Sequence, residues 1–404
     1  RLSLVGSEMC IRDRYLVLFL CAPLIADFYK TPELKSLARY AFTGFVIASL
    51  GISHSAYLQR NLMIKQRSLS MVIGVTISGI AGVTLAYLGF SYWGYATQGI
   101  VYVAVNTACN WYFSSWRPTF EFNLAPIKQM FGFSGKLLIT NIFNHINNNL
   151  FSVILGKFYT EKEVGYYNQA NKWCTMGQSF ISGMINGVAQ PVLTKVSDDL
   201  ERQKRVFRKM LRFTAFVSFP AMLGLSIISQ ELITIAITDK WHSSISIMQI
   251  LCISGAFIPI AGLYQQLIIS KGKSHIYMWN TIVLGIILLT SVLLAHSHGI
   301  YAMLAVYVSI NILWILTWHF FVQQEIGLKL HHALADILPY AVIAATVMVI
   351  TYYSTRSIEN IYLRLASKIV LAAALYVAAM WGSRSVTFKE SIQYFIKKKT
   401  HEPQ

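Results

Sequence analysis

Charged side chains are scarce in this 404-residue chain: Asp, Glu, Lys and Arg make up 13% of it, against 55% hydrophobic residues. A soluble domain carries about twice that share of charge, so the composition excludes a soluble globular protein. Acidic residues are the scarcer kind, and 34 Lys and Arg against 17 Asp and Glu give a net charge of +17. The basic residues are spread over many short segments, which argues against nucleic acid as a partner.

The chain also lacks the residue patterns of an enzyme. Its five cysteines are scattered and match neither a metal-ligand spacing nor a secreted disulfide framework, so we interpret them as small hydrophobic residues. The sequence contains no recognisable nucleophile–base pair, metal cluster or glycine-rich phosphate loop. It therefore predicts a protein that is not an enzyme and has no metal site or cofactor.

Long apolar stretches are what the chain has in abundance. Each is about 20 residues long, enough to cross the roughly 30 Å hydrocarbon core of a bilayer as one helix. The sequence therefore predicts an all-α integral membrane protein with about 12 transmembrane helices. The predicted spans are 15–28, 36–58, 69–90, 92–113, 131–156, 165–190, 211–237, 247–270, 276–295, 300–322, 333–353 and 363–381.

The connections between the spans alternate in charge. Every second connection is rich in Lys and Arg, and the longest of these is Val192–Met210. The intervening connections, such as Lys157–Val164, dilute their few basic residues with acidic ones. By the positive-inside rule, the basic connections and the tail around Lys397–Lys399 lie in the cytoplasm.

The connection Val192–Met210 has an internal charge order. Asp198 and Asp199 come first and the basic residues follow, which suits a helix dipole. We expect a helix that lies along the membrane surface, with the carboxylates at its capped end. A glycosyltransferase metal site is the alternative for this pair, but no third ligand accompanies it.

The span 131–156 departs from the apolar pattern. Asn141, Asn144, His145 and Asn148 follow at i, i+3, i+4 and i+7, so they share one face of a helix, and Lys136 lies just before them. Polar side chains are costly in hydrocarbon, so this face must meet other helices or a water-filled cavity. Interhelical hydrogen bonding is one interpretation, and the lining of a substrate cavity is the other.

Further polar residues occur in other spans. Lys172 and Gln178 lie in the span 165–190, and Arg39 lies in the first turn of the span 36–58. Lys172 could instead extend its amine to the membrane surface. Lys supplies a point charge to phosphate, whereas Asn and Gln both donate to and accept from sugar hydroxyls. A cavity lined by such residues suits a substrate with a phosphate head and sugars, so we expect a transport protein.

Several sequence segments resemble a known family. They are ILGKFYTEKEVGYYNQANK (Ile154–Lys172), AQPVLTKVSDDLERQKRVFRKMLRF (Ala189–Phe213), FPAMLGL (Phe219–Leu225), DKW (Asp239–Trp241) and SKGKSHIYMW (Ser270–Trp279). In these segments the chain resembles the polysaccharide-biosynthesis flippases, the O-antigen and capsule translocases of the multidrug/oligosaccharidyl-lipid/polysaccharide exporter superfamily. The resemblance implies two pseudo-symmetric six-helix lobes, followed by two extra helices, around a cavity that opens alternately to each side.

The resemblance also implies a division of the chain. We expect 1–14 to be an artefact that resembles sequencing-adapter read-through and 15–116 to be a partial first lobe that lacks about two helices. We expect 117–130 to be a cytoplasmic linker, 131–322 a complete six-helix lobe, 333–382 two extra helices, and 383–404 a basic cytoplasmic tail.

The implied cargo is an oligosaccharide linked to undecaprenyl diphosphate, moved across a bacterial cytoplasmic (inner) membrane. The implied partners are membrane lipids, a polysaccharide polymerase and the chain-length machinery. The polar residues within the spans supply the cargo-binding candidates, which are Lys136, Asn141, Asn144, His145, Asn148, Lys172, Arg39 and Gln178. Many relatives carry Asp where this chain has Phe151, so the coupling ion, proton or sodium, is left open.

Two other functions are weighed against transport of a lipid-linked sugar. A multidrug or small-cation exporter of the same superfamily would bury carboxylates, and we expect no Asp or Glu deep within a span. A polysaccharide polymerase or ligase would carry a large external loop with catalytic Arg or His, and the predicted external connections are short.

The charge pattern yields a testable topology. Cysteine introduced at Glu161 should react with a membrane-impermeant thiol reagent added to intact cells, because Lys157–Val164 is predicted to be periplasmic. Cysteine introduced at Lys204 should react only after permeabilisation. Labelling of position 204 but not of position 161 in intact cells would show that the orientation is reversed.

Overall fold

The computed structural model describes residues 19–24, 26–61, 63–117, 125–383 and 388; at 59, 60, 64, 125–138, 186 and 187 it describes only the backbone. Within these ranges the regular elements are helices: α1 (Phe19–Tyr29), α2 (Glu33–Arg60), α3 (Ile64–Tyr87), α4 (Ser91–Phe113), α5 (Ala125–Phe158), α6 (Glu161–Lys195), α7 (Leu200–Ile227), α8 (Ser229–Ile237), α9 (Ser244–Ser270), α10 (Ser274–Ala295), α11 (Ile300–Ile326), α12 (Leu330–Thr355) and α13 (Ile361–Gly382), with short 3₁₀ turns at Asp239–Trp241 and His296–His298. The predicted artefact at 1–14 and the predicted tail 383–404, apart from residues 383 and 388, lie outside the described residues.

Eight of the described helices are long and apolar enough to cross a membrane: α2, α3, α7 and α9 to α13. Helices α4, α5 and α6 have 23, 34 and 35 residues and coincide with the predicted spans 92–113, 131–156 and 165–190. They are long enough to span, but their polar side chains lower their hydropathy. The predicted all-α, multi-pass membrane fold is confirmed.

The chain divides into two compact units, residues 1–135 and 136–404. In the first unit α4 packs against α2 and α3. The indole of Trp111 donates to the carbonyl oxygen of Leu50 at 2.7 Å, and the Thr107 hydroxyl donates to that of Ile47 at 3.3 Å. These hydrogen bonds join α4 to α2, and they leave neither donor without a partner in an apolar environment. The predicted lobe boundaries stay predictions.

In the second unit α9 is the central helix, and α6, α7 and α11 pack around it. Buried side chains occur along its whole length, including Cys252, which is 0% exposed. Gly255 allows this close packing, because a Cβ there would lie 2.5 Å from Cε of Met222 and 3.2 Å from Sγ of Cys174. This core holds the helices that carry the polar residues.

The expected surface helix in Val192–Met210 is wrong. Helix α7 begins at Leu200 and continues without a break to Ile227, so the basic segment is the first part of a membrane helix. The reason is a single buried stripe that crosses the predicted boundary at four-residue spacing. Gln203, Phe207 and Leu211 are all 0% exposed. Their packing holds the two segments in one continuous helix.

Side-chain caps fix the starts of two helices. The carboxylate of Asp199 accepts a hydrogen bond from the backbone N–H of Arg202 at 2.9 Å, which confirms the predicted capping role. Thr160 and Glu163 form a capping box, in which each side chain binds the other's backbone N–H. The caps make α6 and α7 begin at defined residues and so fix where the α5–α6 and α6–α7 connections end.

A buried charge cluster corrects the expectation that spans lack deep carboxylates. Glu231 in α8 is 0% exposed, and its carboxylate lies 2.7 and 2.9 Å from Nζ of Lys368 and 2.6 Å from Nε of Arg364. Lys368 also donates to the carbonyl oxygen of Ile227 at 2.7 Å, where α7 ends. Helix α13 thus satisfies both the carboxylate and the open helix end at the α7–α8 break.

This cluster predicts a large stability effect. Glu231→Leu leaves Lys368 buried without its counter-charge, which should lower the free energy of unfolding by about 3–5 kcal/mol. The double variant Glu231→Leu/Lys368→Met should recover part of that loss, because apolar residues of similar size replace a buried pair at little cost. Reversible unfolding in mixed detergent micelles measures both.

The matched control is Glu359→Leu, since Glu359 is exposed. It should leave the unfolding free energy nearly unchanged. A Glu231→Leu variant as stable as this control would contradict a structural role for the cluster.

Candidate functional site

Part of the predicted polar stripe joins α5 to α10. The amide of Asn144 donates to the hydroxyl of Tyr277 at 2.9 Å, and the amide of Asn147 donates to the carbonyl oxygen of Thr281 at 3.0 Å. One turn further along α10, a Cβ at Gly285 would lie 2.2 Å from Oδ1 of Asn147. Asn147 was missed in the sequence, although it lies one turn after Asn144. The hydrogen-bonding interpretation therefore holds for this side of α5.

The rest of the stripe is exposed on the second unit. Asn141, His145 and Asn148 of α5 are exposed, and so are Asn168 and Lys172 of α6. Side chains of this kind in a membrane helix require water or other polar groups beside them. We call this surface the polar face and define it by Asn141, His145, Asn148, Ser152, Asn168 and Lys172.

One contact sets the register of the two helices on the polar face. The Ser152 hydroxyl donates to Oδ1 of Asn168 at 2.8 Å. Only two residues join α5 to α6, so the helices run in opposite directions. One turn from this contact on each helix lie Asn148 and Lys172. The register therefore puts an amide and an ammonium group at a similar depth.

Behind the polar face lies a cavity of about 400 Å³ inside the second unit. Helices α5, α6, α9, α10 and α11 line it. Asn148 belongs both to the exposed polar face and to the cavity wall, so the cavity meets the polar face there. Its lining combines amides, hydroxyls and aromatic rings: Asn144, Asn147, Asn148, Ser182, Ser254, Phe257, Ile258, Ala261, Gly262, Gln265, Tyr277, Thr281, Leu284, Leu288, Tyr307, Asn311, Trp314 and Trp318.

The remaining predicted residues lie elsewhere. Oε1 of Gln178 is buried without a hydrogen-bond partner among the described residues, and Gln178 does not line the cavity. Arg39 lies in the first unit, with its guanidinium 4.5 Å from the centre of the Phe19 ring. Lys136 belongs to α5, but its side chain lies outside the described part of the structure. These three are not brought together with the polar face by the described contacts.

The described residues contain no cluster of three His, Cys, Asp or Glu side chains that could hold a metal ion. The buried carboxylates are instead engaged with basic residues. Asp336 receives two hydrogen bonds from Arg208, at 2.6 and 3.1 Å, and lies 3.8 Å from Nη1 of Arg212. Glu231 has the two basic partners described above. Both carboxylates therefore have local counter-charges.

Fold and polar face together define a multi-pass α-helical membrane protein with an exposed hydrophilic surface on its second unit. Residues 13–246 match the family model described as polysaccharide biosynthesis protein. This is more than half of the chain, so the protein belongs to the polysaccharide biosynthesis protein family. The family resemblance found in the sequence is confirmed.

The sequence identity to individual relatives is low. The chain is 25% identical over 369 residues to the teichuronic acid biosynthesis protein TuaB of Bacillus subtilis, covering 89% of this chain and 75% of TuaB. It is 27% identical over 280 residues to the lipopolysaccharide biosynthesis protein WzxC of Escherichia coli, covering 67% of this chain and 55% of WzxC. The alignment thus spans about half the length of WzxC.

A solved structure shares the fold. The lipid II flippase MurJ, in an inward closed conformation, superposes with a TM-score of 0.75 and covers 96% of this chain and 83% of its own. The two sequences are 15% identical, so the likeness concerns the fold alone.

The α5–α10 contact gives a test that separates packing from binding. Gly285→Ala should reduce the yield of folded protein, because the new methyl group collides with Asn147. Asn147→Ala should lose a hydrogen bond worth about 0.6–1.7 kcal/mol in a membrane protein. The double variant should be no less stable than Asn147→Ala alone, because removing the amide makes room for the methyl group.

Gly183→Ala is the control, since a Cβ at this helical position meets nothing within 4 Å among the described atoms. Fluorescence-detected size-exclusion chromatography measures the folded fraction. Strictly additive losses in the double variant would contradict the contact between Asn147 and Gly285.

Proposed function

We propose that this protein is a flippase. Its cargo is an oligosaccharide linked to undecaprenyl diphosphate, which it moves from the cytoplasmic to the periplasmic leaflet of a bacterial inner membrane by alternating access. The product feeds the synthesis of a surface polysaccharide: lipopolysaccharide O-antigen, capsule or exopolysaccharide. The protein itself catalyses no bond change. Polymerase and chain-length proteins are its proposed partners.

The polar face is the observation that carries this proposal. It presents an ammonium group and amides on membrane helices, where a cargo with a diphosphate and sugars finds both of the chemistries it needs. Family membership adds support, and the relatives' names refer to teichuronic acid and lipopolysaccharide biosynthesis. The fold shared with a lipid II flippase points the same way.

The rival functions have less support. A cation exporter needs a carboxylate that is free to bind cargo, whereas Glu231 and Asp336 are both paired with basic side chains. A polymerase or ligase needs a catalytic external loop. The described connections on the predicted periplasmic side are short, such as Tyr159–Thr160 between α5 and α6 and 356–360 between α12 and α13.

Removing a cation from the path of the diphosphate should impair transport more than removing one amide. A charge-assisted hydrogen bond is worth about 1.5–3 kcal/mol, against about 0.5–1.5 kcal/mol for a neutral one. Lys172→Gln and Lys136→Gln should therefore lower transport by roughly tenfold or more. Asn148→Leu should have a smaller effect.

The assay is complementation of a flippase-deficient strain with the full-length protein, scored as surface polysaccharide per amount of membrane protein. Lys162→Gln is the matched control, because Lys162 is exposed at the start of the same helix α6. Normal transport by both Lys172→Gln and Lys136→Gln would contradict the proposal that these lysines bind the diphosphate. The stripe would then be explained by helix packing.

A further inference from the structure

The cavity behind the polar face is too large and too polar to be a packing defect. Its volume of about 400 Å³ exceeds the roughly 30 Å³ share of one water molecule and falls in the range of small-molecule sites. Amide and hydroxyl groups that line a membrane-embedded space lose free energy unless they are hydrogen-bonded. We therefore expect a polar occupant in the cavity that is larger than one or two water molecules.

The lack of charged side chains in the lining restricts the kind of ligand that the cavity can bind. None of the residues that line the cavity is Asp, Glu, Lys, Arg or His. A diphosphate or a free cation would lack a counter-charge there, which is costly in a medium of low dielectric constant. Asn, Gln, Ser and Thr side chains each donate and accept hydrogen bonds, as hydroxyl groups do. The lining thus fits a neutral, hydroxyl-rich molecule.

Aromatic rings add the second half of a sugar site. Tyr277 and Trp318 lie side by side in the wall, with ring centres 6.1 Å apart. A flat aromatic face packs against the C–H groups of a pyranose ring, and Tyr277 is the partly exposed ring of this pair, whereas Trp318 is 2% exposed and packs against it. Nε1 of Trp314 is buried and has no hydrogen-bond partner in the described part of the chain, so a ligand hydroxyl would pair it once the indole turns toward the cavity. Asn311 uses its Nδ2 on the carbonyl oxygen of Tyr307 at 2.8 Å, which leaves its Oδ1 for a ligand.

The position of the cavity relates it to the proposed cargo. It meets the polar face at Asn148, and the helix register brings Lys172 to a similar depth on α6. A phosphate at Lys172 would have the sugar attached to it next to the cavity mouth. We propose that the cavity binds one neutral sugar residue of the cargo, the residue linked directly to the diphosphate. This assignment rests on the proposed function.

Sugar binding to the purified protein tests the cavity without requiring transport. The chain in lipid nanodiscs is titrated with methyl glucoside, methyl galactoside and N-acetylglucosamine, and saturation-transfer difference NMR reports bound sugar against empty nanodiscs. We expect saturable binding of at least one of them. Trp314→Phe removes the N–H and keeps a ring, and Asn311→Leu removes the amide at similar size. Each should weaken binding about tenfold.

Trp279→Phe is the control, because Trp279 is 59% exposed and does not line the cavity. It should bind the sugars as the unchanged protein does. Size-exclusion chromatography checks that each variant is folded, and two independent variants guard against one that is not. The assignment would be overturned if no sugar bound saturably or if both cavity variants bound sugar as tightly as the unchanged protein. A response to sodium ions but to none of the sugars would overturn it as well.

A phosphorylated probe tests the neighbouring cation. N-acetylglucosamine 1-phosphate should bind more tightly than N-acetylglucosamine, and Lys172→Gln should abolish that difference while leaving binding of the neutral sugar intact. Equal affinities of the two sugars in the unchanged protein would overturn the placement of the diphosphate-linked residue. Sugar binding by a full-length protein that fails to complement a flippase-deficient strain would count against the proposed function and not against the cavity.

Discussion

The structure depends on one constraint: a polar group inside a bilayer must find a partner within the protein or water. The second unit meets it in different ways. Asn144 and Asn147 bind α10, and Glu231 binds two cations of α13. The polar face has few such contacts: among the described side chains, Ser152 and Asn168 make the one hydrogen bond that joins α5 to α6 there. Surplus polarity of this kind is expected where a helix bundle receives a hydrophilic cargo.

In the proposed flippase, stability and cargo binding are therefore assigned to different residues of the same helices. Helix α5 uses one side to fix its position against α10 and presents another side as the polar face. Helix α6 packs on the central helix α9 and presents Asn168 and Lys172. The cavity lies between these roles, because its wall includes both the packed Asn144 and the exposed Asn148. A packed wall beside an exposed polar face suits the sugar site proposed above.

The sequence predicted the helices, the Asp199 cap and the existence of the polar stripe, because each follows from local composition and periodicity. It could not divide the stripe into packed and exposed members. The partner of Asn147 lies 134 residues away in the chain, and that of Glu231 lies 137 residues away. The sequence did not predict the continuity of α7 for a related reason. Gln203, Phe207 and Leu211 form a buried stripe only because neighbouring helices pack on them. Long-range packing decided each of these points.

Access of water to the polar face is the property that tests this account most directly. In a full-length protein with its native cysteines replaced by alanine, cysteine is introduced at Asn148, Lys172 or Ile286, the last being 57% exposed on the apolar side of α10. A charged, water-soluble thiol reagent is then applied to membranes opened on both sides. The account predicts rapid reaction at positions 148 and 172 and none at 286. Positions 148 and 172 as unreactive as 286 would show that the polar face meets lipid or protein, and would contradict a hydrated cargo path.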